Sequence, residues 1–365
     1  MSFSIEMNNA RNDATYASGK VTATSPVVEI FSALSQGKDL SKYGAKADAA
    51  VKYIKELAEK AETGDIRSMS ELNEIRKFVI QPQLLEEVRL LGVFGSYQAL
   101  GWNETPYLVY PKYENLRAEI QAEGLDVPTP FIRSTKKALA PVTISAGWKA
   151  NYRELALGNF YNEGELQEEV RKTIRNKAAL YVLTEIFTAI ENATGVKYFY
   201  ENSTLAKASV DALLLKIRKY GKPNVIAPYA VLAQFLPWIG YAGEIGSSTI
   251  TGVSQRLLDE IADTGIVGSY NGAVLSEIPA GINYEEIDTT KNDYKTLLPE
   301  GLGIVVPTGG VASPVQTFTV GGLTTMTGNN VTTGDVMTRF DLAVAAGVAR
   351  TDTIGIIHDT SLDTL

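Results

Sequence analysis

Three features of the sequence predict an α+β fold. The first is a proline-free stretch from Glu163 to Ala193, with Gly164 near its start and Gly195 just past its end. It reads as one helix of about thirty residues, about 45 Å long at 1.5 Å per residue. The second is strict alternation from Val142 to Ala150. Val142, Ile144, Ala146, Trp148 and Ala150 face one way, and Thr143, Ser145, Gly147 and Lys149 the other, which is the period of a half-buried strand. The third is a succession of short apolar strands and short helices after the long helix, an α/β middle followed by two closing strands.

Composition narrows the possible functions. The chain has 365 residues, 45% hydrophobic and 21% charged, which suits a globular protein of two or three domains with substantial cores. It has no cysteine, so disulfides, thiolate metal sites and cysteine nucleophiles are excluded. His358 is the single histidine, which rules out multi-histidine zinc sites. A net charge of −8 argues against a tight general nucleic-acid binder. The start, Met1 to Met7, lacks the basic and apolar regions of a signal peptide, and no run approaches the roughly 20 apolar residues that span a bilayer. A soluble protein made in a cytoplasm is expected, with the sequons at Asn103, Asn192, Asn202 and Asn330 arising by chance.

Residues 1–25 are polar and small and read as a disordered terminus. Helices are predicted from Pro26 to Leu34 and from Tyr43 to Lys60, the second with Ala47, Ala50, Val51, Ile54, Leu57 and Ala58 on one face. Thr63-Gly64-Asp65 ends it, and another helix opens at Ser70 and runs to Ile80. Gln81-Pro82-Gln83 is expected to separate that helix from the apolar stretch Leu84 to Val93. This first quarter reads as an arm with modest cores of its own.

Between Asn103 and Ala150, Pro106, Pro111, Pro128, Pro130 and Pro141 punctuate a segment whose middle is charged and poorly hydrophobic. Tyr107 to Tyr110 is a strand, and Val142 to Ala150 follows after a long excursion. Such a segment cannot bury a core, and an extended hairpin projecting from the body is predicted. On the long helix, Glu163, Glu165, Glu168 and Glu169 occupy the dipole-positive end, and Arg171, Lys172, Arg175 and Lys177 follow. Leu166, Val170 and Ile174 form a narrow stripe, whereas Ala178 to Ile190 is apolar on nearly every side. The front half should be solvated and the back half buried on most sides. A helix this long serves as a spine rather than a site.

Beyond the spine, a helix is predicted from Leu205 to Tyr220, a buried strand at Asn224–Ala227, and a helix opened by Pro228. Gly240 to Gly252 reads as loop, Val253 to Ala262 as helix and Ile266-Val267 as strand. A turn at Asn271-Gly272 precedes strand Ala273–Leu275. Strands Leu302–Val306 and Gln316–Val320 close the α/β unit. Val336–Val348 and Thr353–His358 form a last pair, expected to return to the spine helix away from the α/β middle.

Motifs that carry chemistry are nearly absent from the sequence. Gly268-Ser269-Tyr270-Asn271-Gly272 does not fit a nucleophile elbow, because its serine follows the glycine directly. Gly301-Leu302-Gly303 lacks the third glycine of a dinucleotide fingerprint, and no phosphate-binding P-loop occurs. Thr308-Gly309-Gly310 and Gly321-Gly322 read as turns. His358-Asp359 offers a base and its orienter without a nucleophile, and reads as a hydrogen-bonded strand-end histidine. Glu285, Glu286 and Asp288 read as a solvated acidic loop, and Lys136-Lys137 as a charged hairpin surface or one half of an inter-subunit charge pair. Trp102, Trp148 and Trp238 lie in separate segments and read as core or interface anchors. The sequence thus predicts no catalytic, cofactor-binding or metal-binding residue.

The order of parts resembles the major capsid proteins of tailed bacteriophages, the Hong Kong 97 fold. The residues that carry the likeness are Val142 to Ala150 leading through Arg153-Glu154-Leu155 into the spine, Asn224 to Pro228 before a short helix, and Gly268 to Leu275 ahead of Gly334-Asp335 and the closing strands. The resemblance implies an N-terminal arm over 1–70, a connecting helical segment over 71–103 and an extended hairpin loop over 104–150. It also implies a peripheral domain over 151–203 with 334–365 and an axial domain over 204–333. It further implies self-assembly into pentamers and hexamers of an icosahedral shell, a virion protein assembled in a bacterial cytoplasm. Its partners would be copies of itself, scaffolding, portal and decoration proteins, and double-stranded DNA held weakly at the inner wall, with no membrane. No scaffolding segment and no lysine–asparagine cross-linking pair stands out. The alternatives are an encapsulin-type shell and, from another class, a carboxylate-dependent α/β enzyme using Glu285, Glu286 or His358.

Overall fold

The computed structural model describes residues 25–112, 133–150, 152–158, 160–238, 241–245, 248–252, 268–289, 292–309, 313–329 and 336–362. The expected N-terminal tail, the hairpin tip, helix Val253–Ala262 and strand Ile266-Val267 lie outside the described residues.

Three helices come first, α1 (Pro26–Ser35), α2 (Ala45–Glu62) and α3 (Ile66–Arg89). Asp65 caps α3 by accepting from the backbone N–H groups of Arg67 and Ser68, each at 3.3 Å. The predicted break at Gln81-Pro82-Gln83 does not occur, because α3 runs straight through Pro82. Leu72, Ile80, Leu84 and Val88 form one buried stripe on both sides of that proline, which itself faces solvent. Packing of the stripe offsets the lost backbone hydrogen bond. Residues 26–62, assigned above to an arm, pack on their own chain. Val27, Ile30, Phe31 and Ile54 share a core with Leu72, Tyr152 and Leu155.

The strands continue as β1 (Gly95–Leu100), β2 (Tyr107–Lys112), β3 (Arg133–Ala138) and β4 (Val142–Ala150). A short α4 (Tyr152–Leu157) leads into the spine, α5 (Tyr161–Glu191). The stripe Val170, Ile174, Ala178, Val182, Ile186 and Ile190 is buried along its length. Three details differ from expectation: Glu163 and Gln167 are buried in the front half, Leu166 is 39% exposed, and the back half keeps a solvent face at Thr184, Glu185 and Thr188. Partners on one side suffice to bury a stripe spaced by four.

Next come β5 (Tyr198–Asn202), α6 (Lys207–Ile217), β6 (Lys222–Ala227) and α7 (Tyr229–Ala233). The segment read as loop is a hairpin, β7 (Tyr241–Ile245) against β8 (Ser248–Gly252). Then follow β9 (Ser269–Tyr270), β10 (Ala273–Glu277), β11 (Ile282–Asp288) and β12 (Asp293–Thr296). Asn271 and Gly272 both take positive φ, 47° and 78°, the backbone of a tight hairpin turn. The chain closes with β13 (Leu302–Thr308), β14 (Val315–Asn329), β15 (Val336–Val348) and β16 (Gly355–Asp359).

Two sheets organise the body. A four-stranded sheet, β1-β14-β15-β4, lays Ile144, Leu323, Phe340, Leu342 and Val344 in one core with the spine stripe. Gly321-Gly322, read as a turn, is a bulge inside β14, where the register jumps between Val320 and Leu323. A six-stranded sheet follows the order β5-β16-β13-β6-β10-β9. The closing strands, expected to return to the spine together, instead part between the two sheets. β15 does lie on the spine, but β16 is a central strand of the six-stranded sheet, between β5 and β13. Its Ile356, Ile357 and His358 are buried on both faces, so it reads as a continuous run rather than an alternating strand.

Candidate assembly interface

Where the spine begins, α3, α4, α5 and β15 meet in a dry polar junction. Arg76 is fully buried, and its guanidinium donates to both carboxylate oxygens of Glu163, Nη2 to Oε2 at 2.8 Å. Its Nη1 donates to Asn73 Oδ1 at 3.0 Å, and Thr338 Oγ1 donates to the same oxygen at 3.2 Å. Trp148 and Tyr152 present their rings to the cation at 5.5 and 5.6 Å. Burial alone would lower the Arg76 guanidinium, but Glu163 holds it above its ordinary value. No local signal marks the pair as partners, since 87 positions separate the two residues. The clue lies in the stripe Leu72, Ile80, Leu84 and Val88, where the charged Arg76 fills an apolar position.

The β2–β3 hairpin is built differently. It pairs antiparallel from Tyr107–Ala138 to Lys112–Arg133. Every described side chain of β3, Thr135 to Ala138, is exposed, including Lys136 and Lys137. An isolated two-stranded hairpin is marginal in water, so this one depends on its base and on whatever its outer surface meets. At the base, Leu139 N–H donates to Pro106 O at 2.9 Å. Leu108 is only 3% exposed. The Gln316 side chain bonds Val109 twice: Val109 N–H donates to Oε1 at 3.1 Å, and Nε2 donates to Val109 O at 3.0 Å.

Large apolar side chains face solvent at many points. Ile66, Leu90, Leu157 and Trp102 are each more than 65% exposed, and Ile287 and Met326 about 60%. These belong to different elements, so the exposed apolar surface is not confined to one part of the fold. Among the tryptophans, Trp148 stacks on Phe340 with centroids 5.0 Å apart, and Trp238 packs on Phe235 at 5.1 Å. Those two are core anchors, whereas Trp102 lies at the surface.

The residues weighed for chemistry do not converge. His358 is buried, with Nδ1 3.0 Å from Glu201 Oε1 and its ring edge-on to Phe187. Asp359 accepts from Gln234 Nε2 at 2.7 Å and from Ser361. Burial would raise its carboxyl, but the Ser361 and Gln234 hydrogen bonds and the nearby His358 hold it below the ordinary carboxylate range. Glu285, Glu286 and Asp288 sit on β11, a strand rather than the acidic loop expected. Glu286 pairs with Lys295 at 3.1 Å, Asp288 is buried, and the Glu285 side chain lies outside the described residues. A concavity of about 320 Å³ where the two sheets meet is lined by Lys219, Tyr220, Thr308, Ser313 and Arg350, among others, and among the described residues by no carboxylate or histidine. Among the described residues no cluster of three or more His, Asp or Glu could hold a metal ion. Nor is any described helix long and apolar enough to cross a membrane.

Comparison with curated proteins finds no significant match. Among solved structures, the chain is similar to a virus-like particle from Pyrococcus furiosus, at 12% identity over 76% of this chain and 97% of that one, with a TM-score of 0.45. It is also similar to the capsid of an empty GTA particle, at 10% identity over 74% and 89% of the two chains and a TM-score of 0.49. A third is the holo-SrpI encapsulin complex of Synechococcus elongatus, at 12% identity over 76% and 90% with a TM-score of 0.43. The family described as "SPbeta prophage-derived putative capsid protein YonB" matches residues 6–358, nearly the whole chain, and the protein belongs to that family.

Proposed function

We propose that this protein is the major capsid subunit of a tailed phage or prophage, with a Hong Kong 97-type architecture, forming pentamers and hexamers of an icosahedral shell around double-stranded DNA. The family match over residues 6–358 carries this reading. The distribution of apolar surface supports it, because the exposed large side chains are spread over the molecule instead of lining one pocket. In this reading residues 104–150 lie across an adjacent subunit, and residues 1–70 form the N-terminal arm, of which α1 and α2 pack on their own chain. Residues 151–203 and 334–365 make up the peripheral domain and 204–333 the axial domain, with β5 and β16 pairing into the six-stranded sheet and β14 crossing the other way into the four-stranded sheet on the spine. DNA would be held only weakly at the wall, since the chain is acidic and packaged DNA carries its own counterions. Scaffolding, portal and decoration proteins are its expected partners, and the virion its location.

The test is to express the chain and examine it by sedimentation and electron microscopy. Capsomers or closed shells are expected. A discrete monomer or dimer at every concentration and salt would contradict the proposal, and enzyme-filled cages from the native source, free of DNA, would transfer it to an encapsulin-type shell.

A further inference from the structure

On the four-stranded sheet, Gln316 of β14 stands directly opposite Gly347 of β15. The base of the hairpin meets both members of this cross-strand pair. The Gln316 carboxamide presents its oxygen to Val109 N–H and its nitrogen to Val109 O, at 3.1 and 3.0 Å, as a neighbouring strand would. Gly347 leaves the adjoining spot empty. A Cβ there would lie 3.1 and 3.3 Å from the Leu108 methyls and 3.3 Å from Leu139. Leu108 and Val109 are consecutive, so one residue fills the gap and the next takes the two hydrogen bonds.

We infer that the Gln316–Gly347 pair is a seat that sets the angle at which the β2–β3 hairpin leaves the body, making Gln316 a positioning residue for assembly. The hairpin departs and returns beside Pro106 and Pro141. These prolines restrict the connectors but supply no N–H to bond the sheet. Direction must therefore come from contacts at the base. Two neutral, half-exposed hydrogen bonds and one inserted leucine hold the hairpin in one orientation, yet they can be re-formed at small cost if a neighbour pulls it elsewhere. A small angular error at the base grows along the hairpin, so the seat should control which curvatures a ring of subunits accepts. This inference rests on the capsid reading for its consequence, though not for its geometry.

Because the chain has no cysteine, Lys136→Cys on β3 and Thr173→Cys on the spine, both exposed, give two unique labelling points. Pulsed electron–electron resonance on the unassembled, doubly labelled chain is compared with and without Gln316→Met, which keeps length but loses both bonds. Gly347→Val is the steric counterpart. The expected result is one narrow label–label distance in the parent and a distribution at least twice as broad in Gln316→Met. Gly347→Val should displace the distance, and electron microscopy of either variant should show loss of the single shell diameter. Unchanged distances in both variants would overturn the seat, whether or not the parent assembles. Altered distances with shells identical to the parent's would overturn its role in assembly. Failure of the parent to assemble at all would count against the capsid reading, and the distances would still decide the seat.

Discussion

The junction at the start of the spine and the seat of the hairpin solve the same problem by opposite means. Both bring a separate piece of chain down onto the core, and both use a glycine for close approach. At Gly164 an added Cβ would lie 2.0 Å from the Ser35 carbonyl oxygen, and at Gly347 one would press on Leu108. The polar fastenings differ. Arg76 and Glu163 are a buried, bidentate ion pair with further hydrogen bonds around it, and separating the partners exposes a charge to a dry interior. Gln316 and Val109 are neutral and half-buried, and water can replace either bond. Under the proposed capsid reading, this division between a permanent fastening and a yielding one lets the subunit keep its body while adjusting its reach.

The comparison breaks first at Arg76. Arg76→Met should cost about 3–5 kcal/mol in urea unfolding because Glu163 is left buried and unpaired. Pairing it with Glu163→Leu should recover much of that loss, and a double variant as weak as the single one would show that packing, not charge, holds the junction. Gly164→Val should come next, at about 1–3 kcal/mol, since α1 must move away from the spine. Gln316→Met should cost no more than about 2 kcal/mol, two ordinary hydrogen bonds, while changing hairpin orientation. A stability loss as large as that of Arg76→Met would erase the distinction drawn here.

The smallest effect concerns pH. Asp359 has its carboxyl depressed in the folded chain, so its contribution is present above the unfolded value near 4 and lost as pH falls through the lower, folded value. Asp359→Asn should therefore flatten the stability curve below about pH 4 and leave the slope between pH 6 and 8 unchanged. Acid denaturation followed by circular dichroism reads both.

Much of this architecture is legible in the residues themselves. The spine was expected from Glu163 to Ala193 and runs from Tyr161 to Glu191, and β15 has its predicted bounds, because sustained periodicity without proline has one reading. Local rules fail where packing at a distance decides. Pro82 is a strong breaker, but the stripe spaced by four from Leu72 to Val88 continues across it and prevails. β16 is short and apolar throughout, and nothing in such a run says which sheet will take it in. The glycines of residues 240–252 conceal a hairpin that only pairing reveals. The seat was hidden for a further reason. Gln316 and Gly347 are unremarkable alone and acquire meaning only once register sets them opposite each other.

The most direct measurement is a cryo-electron microscopy reconstruction of particles formed by the chain, traced through residues 107–138. Density for that hairpin crossing onto the adjoining subunit, with its base on Gln316 and Gly347 of its own chain, is the predicted result. A hairpin folded back over its own body, in particles held together by other surfaces, would contradict the account.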